Sequence, residues 1–146
     1  MGVQKRNIKI QGLTPQKTKL TALGHSLGGG MASTVAVQFG VDAVTFNAAG
    51  MNPDYAKNSN FNANDYVNAY YVKGEILSHI QDRTPGVFNA AGNRHGLKPA
   101  SGYGIIPGSI PQRTQAHGMS SVLRALETAG YADTQRERAY NQYMSR

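Results

Sequence analysis

Gly24-His25-Ser26-Leu27-Gly28 places a serine between two glycines, and this motif predicts the central turn of the fold. The G-x-S-x-G spacing is that of a nucleophile elbow, a tight turn between a strand and a helix in which the serine backbone is strained and its hydroxyl is exposed. Glycine on both sides avoids side-chain clashes in such a turn. The motif therefore predicts that Ser26 is a nucleophile.

The residues around the motif predict a strand before it and a helix after it. Residues 18–23 mix β-branched and aliphatic side chains, as a short buried strand does. Met31, Val35 and Phe39 recur every four residues, so we expect one apolar stripe of the helix to face a sheet. Gly40 predicts the end of the helix, and the apolar run that follows it, up to Phe46, predicts a second strand, parallel to the first.

Two further glycines, Gly29 and Gly30, lie in the first turn of the predicted helix. Glycine lowers helix propensity, so its presence here predicts that this turn packs closely against a strand and keeps its N–H groups free. The amide of Leu27 would then point at a developing oxyanion. Leu27 is therefore the predicted oxyanion-hole donor.

A serine nucleophile needs a histidine as its base, and the chain has four histidines. His25 adjoins the nucleophile, and we expect its side chain to point away and to serve packing or hydrogen bonding. His79 follows Glu75, the candidate for the acid of the triad, too closely. His117 is favoured, because it precedes an apolar pattern at helical spacing and suits a loop entering the last helix. His95, which has loop neighbours, is the alternative base.

The histidine in turn needs a carboxylate that fixes its tautomer. Glu75 follows the apolar run at residues 69–72, which places it at the carboxyl end of a predicted third strand, where α/β folds gather their active residues. Asp82 is the alternative acid. A third interpretation is that both carboxylates are solvated surface groups.

Four stretches carry a resemblance to a known family. They are residues 24–32, 44–50, 71–78 and 116–119. They resemble the core of bacterial lipases of the α/β-hydrolase fold, near the class 3 lipases and related phospholipase-type effectors. The resemblance extends over most of residues 18–128, and the elbow is its most specific part.

The resemblance implies a partial or minimal α/β-hydrolase, with a mainly parallel sheet and flanking helices. It also implies a serine esterase that acts on lipid or phospholipid esters, with its triad in the order serine, acid, histidine. Ser26, Glu75 and His117 follow that order, although the related lipases more often have aspartate at the place of the acid. No cofactor and no metal are implied.

The chain has 146 residues, which predicts one domain over residues 1–146 that is short for a complete α/β-hydrolase. The fold usually places several strands before the elbow, including one whose loop supplies a second oxyanion-hole amide. Here residues 7–10 offer one small strand. We therefore expect an amino-terminally incomplete domain that an additional domain or a partner chain completes.

The charge balance is basic, with 15 lysines and arginines against 8 acidic residues and a formal net charge of +7. The basic residues are scattered and no nucleic-acid motif accompanies them, so no nucleic-acid partner is predicted. An anionic membrane surface is the partner that this charge suits in a lipid-directed enzyme.

Cysteine is absent, which excludes disulfides, zinc–thiolate sites and a thiol nucleophile. No apolar segment has the length of a signal-peptide core or of a transmembrane helix. The sequence therefore predicts a soluble protein without a Sec-type signal, either cytoplasmic or exported as an effector by another route.

Two irregular stretches are candidates for the acyl-chain pocket. The first, residues 47–68, is predicted to be a surface loop, with the alternative that Met51, Phe61 and Tyr66 face an acyl chain. In the second, residues 84–116, Ile105 and Ile106 either line such a pocket or fill the core. Residues 133–146 predict a polar helix.

Two classes of function follow from these observations. The first is a serine carboxylic ester hydrolase, in which Ser26 attacks, His117 transfers the proton, Glu75 orients His117 and the Leu27 N–H stabilises the oxyanion. The second is a catalytically incomplete hydrolase fragment that binds a membrane or a partner protein.

Overall fold

In the part of the chain that the structure describes, four parallel strands lie side by side in chain order and form one sheet. A computed structural model describes residues 20–100 and 109–131. The strands are β1 (Thr21–His25), β2 (Asp42–Phe46), β3 (Val67–Val72) and β4 (Asn93–Leu97). The helices are α1 (Leu27–Phe39), α2 (Pro53–Lys57), α3 (Ala63–Tyr66), α4 (Ile76–Gln81), α5 (Ile110–His117) and α6 (Met119–Thr128). The predicted α/β class, with a parallel sheet and flanking helices, is confirmed.

Several predictions concern residues outside the described ranges. These are the small strand at residues 7–10, the roles of Ile105 and Ile106, and the helix at residues 133–146. A single domain over residues 1–146 also stays a prediction. Across the two described ranges, no helix is both long and apolar enough to cross a membrane.

The unit β1–α1–β2 forms as the sequence predicts. β1 and β2 pair in parallel, with Thr21 opposite Asp42 and His25 opposite Phe46. Gly40 ends α1 in the left-handed conformation, with φ 63°, and its N–H donates to the carbonyl of Ala36 at 2.9 Å. Glycine adopts this conformation without a Cβ penalty, which is why the helix ends there.

Apolar side chains pack on both faces of the sheet. The cluster on the α1 face consists of Ala36, Ala43 and Val67, with Ala22, Ala63 and Tyr66 packed against it. The cluster on the face of α5 and α6 consists of Val72, Leu97, Ala116, Val122 and Ala125. Because the strands are parallel, the loops that follow β1, β2 and β3 meet at the carboxyl edge of the sheet, where ligand sites of open α/β sheets lie.

The prediction that the stripe Met31, Val35 and Phe39 faces the sheet is wrong. Met31 is 65% exposed and Phe39 is 64% exposed, whereas small residues on the opposite side of α1 are buried. The reason is the close approach of the helix to the chain that follows β2. A Cβ on Gly29 would lie 2.5 Å from the Cβ of Ala48, so only small side chains fit between them.

Two histidines lie in different surroundings from those predicted. His117 is the last residue of α5 and not a loop residue, because a separate helix precedes Gly118 and α6. His95 lies in β4, where it is registered with Tyr70 of β3, and not in a loop. The Gly- and Pro-rich sequence around them hid both elements.

The stretch of residues 47–68 is not a plain surface loop, because it contains α2 and α3. Phe61 and Tyr66 of this stretch pack away from the elbow. Phe61 lies against Gly40 and makes an edge-on contact with Tyr66, with ring centroids 5.4 Å apart. Gly40 follows the 13-residue helix α1 at the end opposite Ser26, which is about 20 Å away. Phe61 and Tyr66 therefore do not line the elbow.

The two glycines of the elbow differ in their surroundings, which gives a test of the turn. A Cβ on Gly24 would overlap the main-chain carbonyl of Gly28, whereas a Cβ on Gly28 would meet open space. The expectation that a side chain would clash at both glycines is thus confirmed for Gly24 and wrong for Gly28. We predict that Gly24→Ala lowers the free energy of unfolding by about 3 kcal/mol, at the upper end for overpacking.

Gly28→Ala is the matched control. Because Gly28 lies in α1 and alanine is the better helix former, it should leave the free energy of unfolding unchanged or raise it by up to about 1 kcal/mol. Urea denaturation followed by circular dichroism measures both. Equal losses of stability in the two variants would contradict the close approach at Gly24.

Candidate active site

The nucleophile elbow holds Ser26 in a strained conformation, with φ 55° and ψ −124°. Its N–H donates to the carbonyl of Phe46 at 3.1 Å. Its carbonyl accepts from the N–H of Ala49 at 2.8 Å and from that of Gly29 at 3.0 Å. A positive φ in a residue with a side chain costs on the order of 1–3 kcal/mol, and these main-chain hydrogen bonds from β2 and α1 maintain it. The turn thus presents the Ser26 hydroxyl at the carboxyl edge of the sheet.

His117 bridges the serine and a carboxylate through its two ring nitrogens. Nε2 lies 2.9 Å from Oγ of Ser26, and Nδ1 lies 2.6 Å from Oε2 of Glu75. An ionised carboxylate only accepts, so Nδ1 carries the proton and donates to Glu75, while Nε2 accepts from the serine hydroxyl. This is the tautomer in which a histidine can remove the serine proton.

Glu75 is fully buried and is held by several donors. It is the N-cap residue of α4, and its carboxylate accepts from the N–H groups of Leu77, at 2.8 Å, and Ser78. Burial alone would raise the pKa of the Glu75 carboxyl. The hydrogen bonds from His117, Ser78 and Leu77 outweigh that effect and hold this pKa below its usual value. The carboxylate is therefore ionised at neutral pH, next to the His117 ring.

The structure brings Ser26, Glu75 and His117 together, and it places the two alternatives elsewhere. Nε2 of His95 pairs with Oδ1 of Asn68 at 3.0 Å. Oδ1 of Asp82 forms an ion pair with Arg94 at 3.0 Å. Neither alternative has a hydrogen bond with the other members of the predicted triad.

The remaining two histidines also have partners of their own. Nε2 of His25 lies 2.8 Å from the main-chain carbonyl of His117, so its side chain serves hydrogen bonding, as the sequence predicted. The expectation that this side chain points away is wrong, because its ring centroid lies 5.0 Å from that of His117. Nδ1 of His79 accepts from the guanidinium of Arg83 at 2.6 Å. Partial desolvation and the positive charges of Arg113 and Arg83 lower the pKa of the His79 ring.

Leu27 is the first residue of α1, directly after the serine. The first N–H groups of a helix have no intrahelical acceptor, and the helix dipole favours negative charge there. The Leu27 N–H is thus suited to the predicted oxyanion contact. Residues 1–19, before β1, where the fold would place a second oxyanion-hole amide, lie outside the described residues.

Asn47 is the residue at this site that the sequence analysis missed. It is fully buried, has φ 42°, and hydrogen-bonds through its side chain to Val72, Ala116 and His117. The sequence signal that could have found it is an asparagine directly after the apolar strand β2, at the edge where functional residues gather.

Among the residues that the structure describes, no three histidine, aspartate or glutamate side chains are grouped so that they could hold a metal ion. The chemistry available to the described site is that of a hydroxyl, an imidazole, a carboxylate and main-chain amides.

Comparison with known proteins relates the chain to phospholipases. A family model described as the Tle-like phospholipase domain matches residues 6–129. A segment of 39 residues is 59% identical to extracellular phospholipase A1 of Serratia liquefaciens. That segment is 27% of this chain and 12% of the relative, so the match covers a small part of the relative's length.

The depressed pKa of Glu75 predicts how stability depends on pH. A carboxyl whose pKa is lower in the folded state stabilises the fold above its unfolded pKa, about 4.3 for glutamate, and loses that contribution as the pH falls through the folded pKa. The free energy of unfolding of the wild type should therefore fall more steeply between about pH 6 and pH 3 than that of Glu75→Gln.

Urea denaturation at a series of pH values measures this difference. Glu127→Gln, at an exposed position of α6, controls for the loss of one negative charge and should follow the wild type. A constant gap between the wild type and Glu75→Gln over this pH range would show that the Glu75 carboxylate is not stabilised by its donors.

Proposed function

Because this chain belongs to the Tle-like phospholipase family, we propose that it is a serine carboxylic ester hydrolase that acts on phospholipid-like esters. The observation that carries the proposal is the continuous relay from Ser26 Oγ to His117 Nε2, 2.9 Å, and from His117 Nδ1 to Glu75 Oε2, 2.6 Å. The name of the Serratia relative supports phospholipid as the substrate class.

In the proposed first half-reaction, the Ser26 oxygen attacks the ester carbonyl while His117 Nε2 takes the hydroxyl proton. The carbonyl oxygen becomes an oxyanion, to which the Leu27 N–H donates at the positive end of α1. The ionised Glu75 stabilises the imidazolium that forms on His117. Collapse of the intermediate breaks the ester C–O bond, and His117 returns the proton to the leaving alcohol.

The second half-reaction repeats these steps with water. His117 removes a proton from water, the resulting hydroxide attacks the acyl carbon, and the Ser26 oxygen leaves with the proton from His117. The products are a free carboxylic acid and the unmodified enzyme. The same three side chains act in both halves because the relay returns to its starting protonation state.

A second candidate is a catalytically incomplete hydrolase domain that binds a membrane or a partner protein. Two observations favour it. The side chains of Met31, Val35 and Phe39 leave apolar surface exposed on α1, and the net charge is +7. Both features suit association with another surface and neither requires the relay.

Labelling with a fluorophosphonate probe distinguishes the two candidates. We predict covalent capture at Ser26, located by peptide mass mapping, and none in Ser26→Ala. His117→Gln should slow capture by about 10²–10⁴-fold, the usual contribution of a general base. His95→Gln is the matched control and should react like the wild type.

The carboxylates supply a second matched pair for the same assay. Glu75→Gln should slow capture because it removes the charge that stabilises the imidazolium, whereas Asp82→Asn should not. No capture by a folded wild type would reject the esterase and favour the second candidate. Loss of capture in His95→Gln or Asp82→Asn alone would reassign the base or the acid.

The substrate class is tested with lipid vesicles. We predict release of fatty acid from phosphatidylglycerol vesicles, faster than from phosphatidylcholine vesicles, because each lysine or arginine near an anionic surface contributes about 1 kcal/mol of attraction. The difference should shrink as salt is added. Equal rates on the two lipids at low salt would show that the positive charge does not act at the membrane. Ser26→Ala is the control for non-enzymatic release.

A further inference from the structure

At the carboxyl end of α5, Ala116 is buried and His117 is half-buried, so the last carbonyls of the helix need hydrogen-bond donors from other elements. The last carbonyls of a helix have no intrahelical partners. Nδ2 of Asn47 donates to the carbonyl of Ala116 at 3.2 Å and to that of His117 at 2.8 Å. Nε2 of His25 donates to the same His117 carbonyl at 2.8 Å. The main chain of the proposed base is thus held by two side chains from the ends of β1 and β2.

Asn47 also ties this helix end to the strand that leads to Glu75. Its Oδ1 accepts from the N–H of Val72 at 2.9 Å, and its own N–H donates to the carbonyl of Tyr70 at 2.8 Å. The carbonyl of Val72 in turn accepts from the N–H of Glu75 at 3.1 Å. One buried side chain therefore connects the main chain of His117 with the turn that carries its carboxylate partner.

The connection extends to the nucleophile through the neighbour of Asn47. The carbonyl of Phe46 accepts from the N–H of Ser26 at 3.1 Å. Asn47 itself has φ 42°, a region in which asparagine is enriched among residues that carry a side chain. Glycine would keep this backbone without the amide, and aspartate would keep the acceptor without the donors. Asparagine meets the backbone requirement and both hydrogen-bonding requirements.

We propose that Asn47, assisted by His25, is a positioning residue that holds His117 in line with Ser26 and Glu75. The inference rests on the proposed esterase function, which it deepens. Misplacement of a catalytic group by about 1 Å costs on the order of 10²-fold in rate, so the fixation of the His117 main chain has a direct effect on proton transfer. Asn47 acts through His117 and does not touch the reacting atoms.

The test compares variants that keep the backbone with variants that remove the donors. Asn47→Gly and Asn47→Asp should each slow fluorophosphonate capture at Ser26 by at least about tenfold at a temperature where they are fully folded. His25→Phe should slow capture less, because Asn47 still holds the His117 carbonyl. His25→Gln, which restores a donor, should recover part of the loss.

Val67→Ala controls for a general loss of stability. Val67 is fully buried at the first residue of β3, in the cluster on the α1 face, which does not include His117. This variant should unfold more readily than the wild type and yet label at the wild-type rate. A merely structural role of Asn47 would make Asn47→Gly behave in the same way.

The second readout does not require a reaction. With ¹⁵N-labelled histidine, the proton between His117 Nδ1 and Glu75 should give a downfield resonance in the wild type and in Val67→Ala. In Asn47→Gly that resonance should disappear, because a loosened His117 exchanges this proton with water faster. If the wild type shows the resonance and is not captured by the probe, the proposed function fails. Loss of the resonance in Asn47→Gly would still support the positioning role in that case. If Asn47→Gly keeps both the resonance and the rate of Val67→Ala, the positioning role is overturned.

Discussion

The close approach of α1 to the main chain after β2 is the constraint on which the site depends. Gly29 lies so near Ala48 that a Cβ between them has no room, and this contact brings the Ser26 carbonyl within 2.8 Å of the Ala49 N–H. The serine is then fixed from both sides in a conformation that is unfavourable by itself. A larger side chain at position 29 would separate helix and strand, and the hydroxyl would lose its fixed place relative to α5.

The sequence was informative where the causes of structure are local. The elbow, the end of α1 at Gly40 and the parallel strands on either side of the helix follow from glycine positions and short apolar runs. The buried face of α1 could not be predicted in this way. Apolar spacing favoured Met31 and Phe39, whereas the close approach to Ala48 admits only small residues. Hydrophobic periodicity finds a helix and cannot state how near its neighbour lies.

Contacts between residues that are far apart in the sequence explain which parts of the site could be predicted and which could not. Ser26, Glu75 and His117 were chosen by the chemistry that a serine hydrolase requires, and their roles remain predictions, although the structure brings them together. Asn47 carries no such chemistry. Its side chain joins residues 25 and 70 positions away, a connection that only the fold reveals. The helical surroundings of His117 were missed for a related reason, since the residues before α5 are rich in glycine and proline.

The strand order has a consequence for how the protein is made. Within the described residues, β2, β3 and β4 each lie beside the strand that precedes them in the chain, so each extends the sheet at the same edge. During synthesis a domain generally folds as a unit. Ser26 and His117 are 91 residues apart, and α5 follows the four strands that the structure describes. On the ribosome, the sequence of the elbow is therefore translated well before that of α5, and the proposed relay between Ser26 and His117 can form only after α5 has emerged.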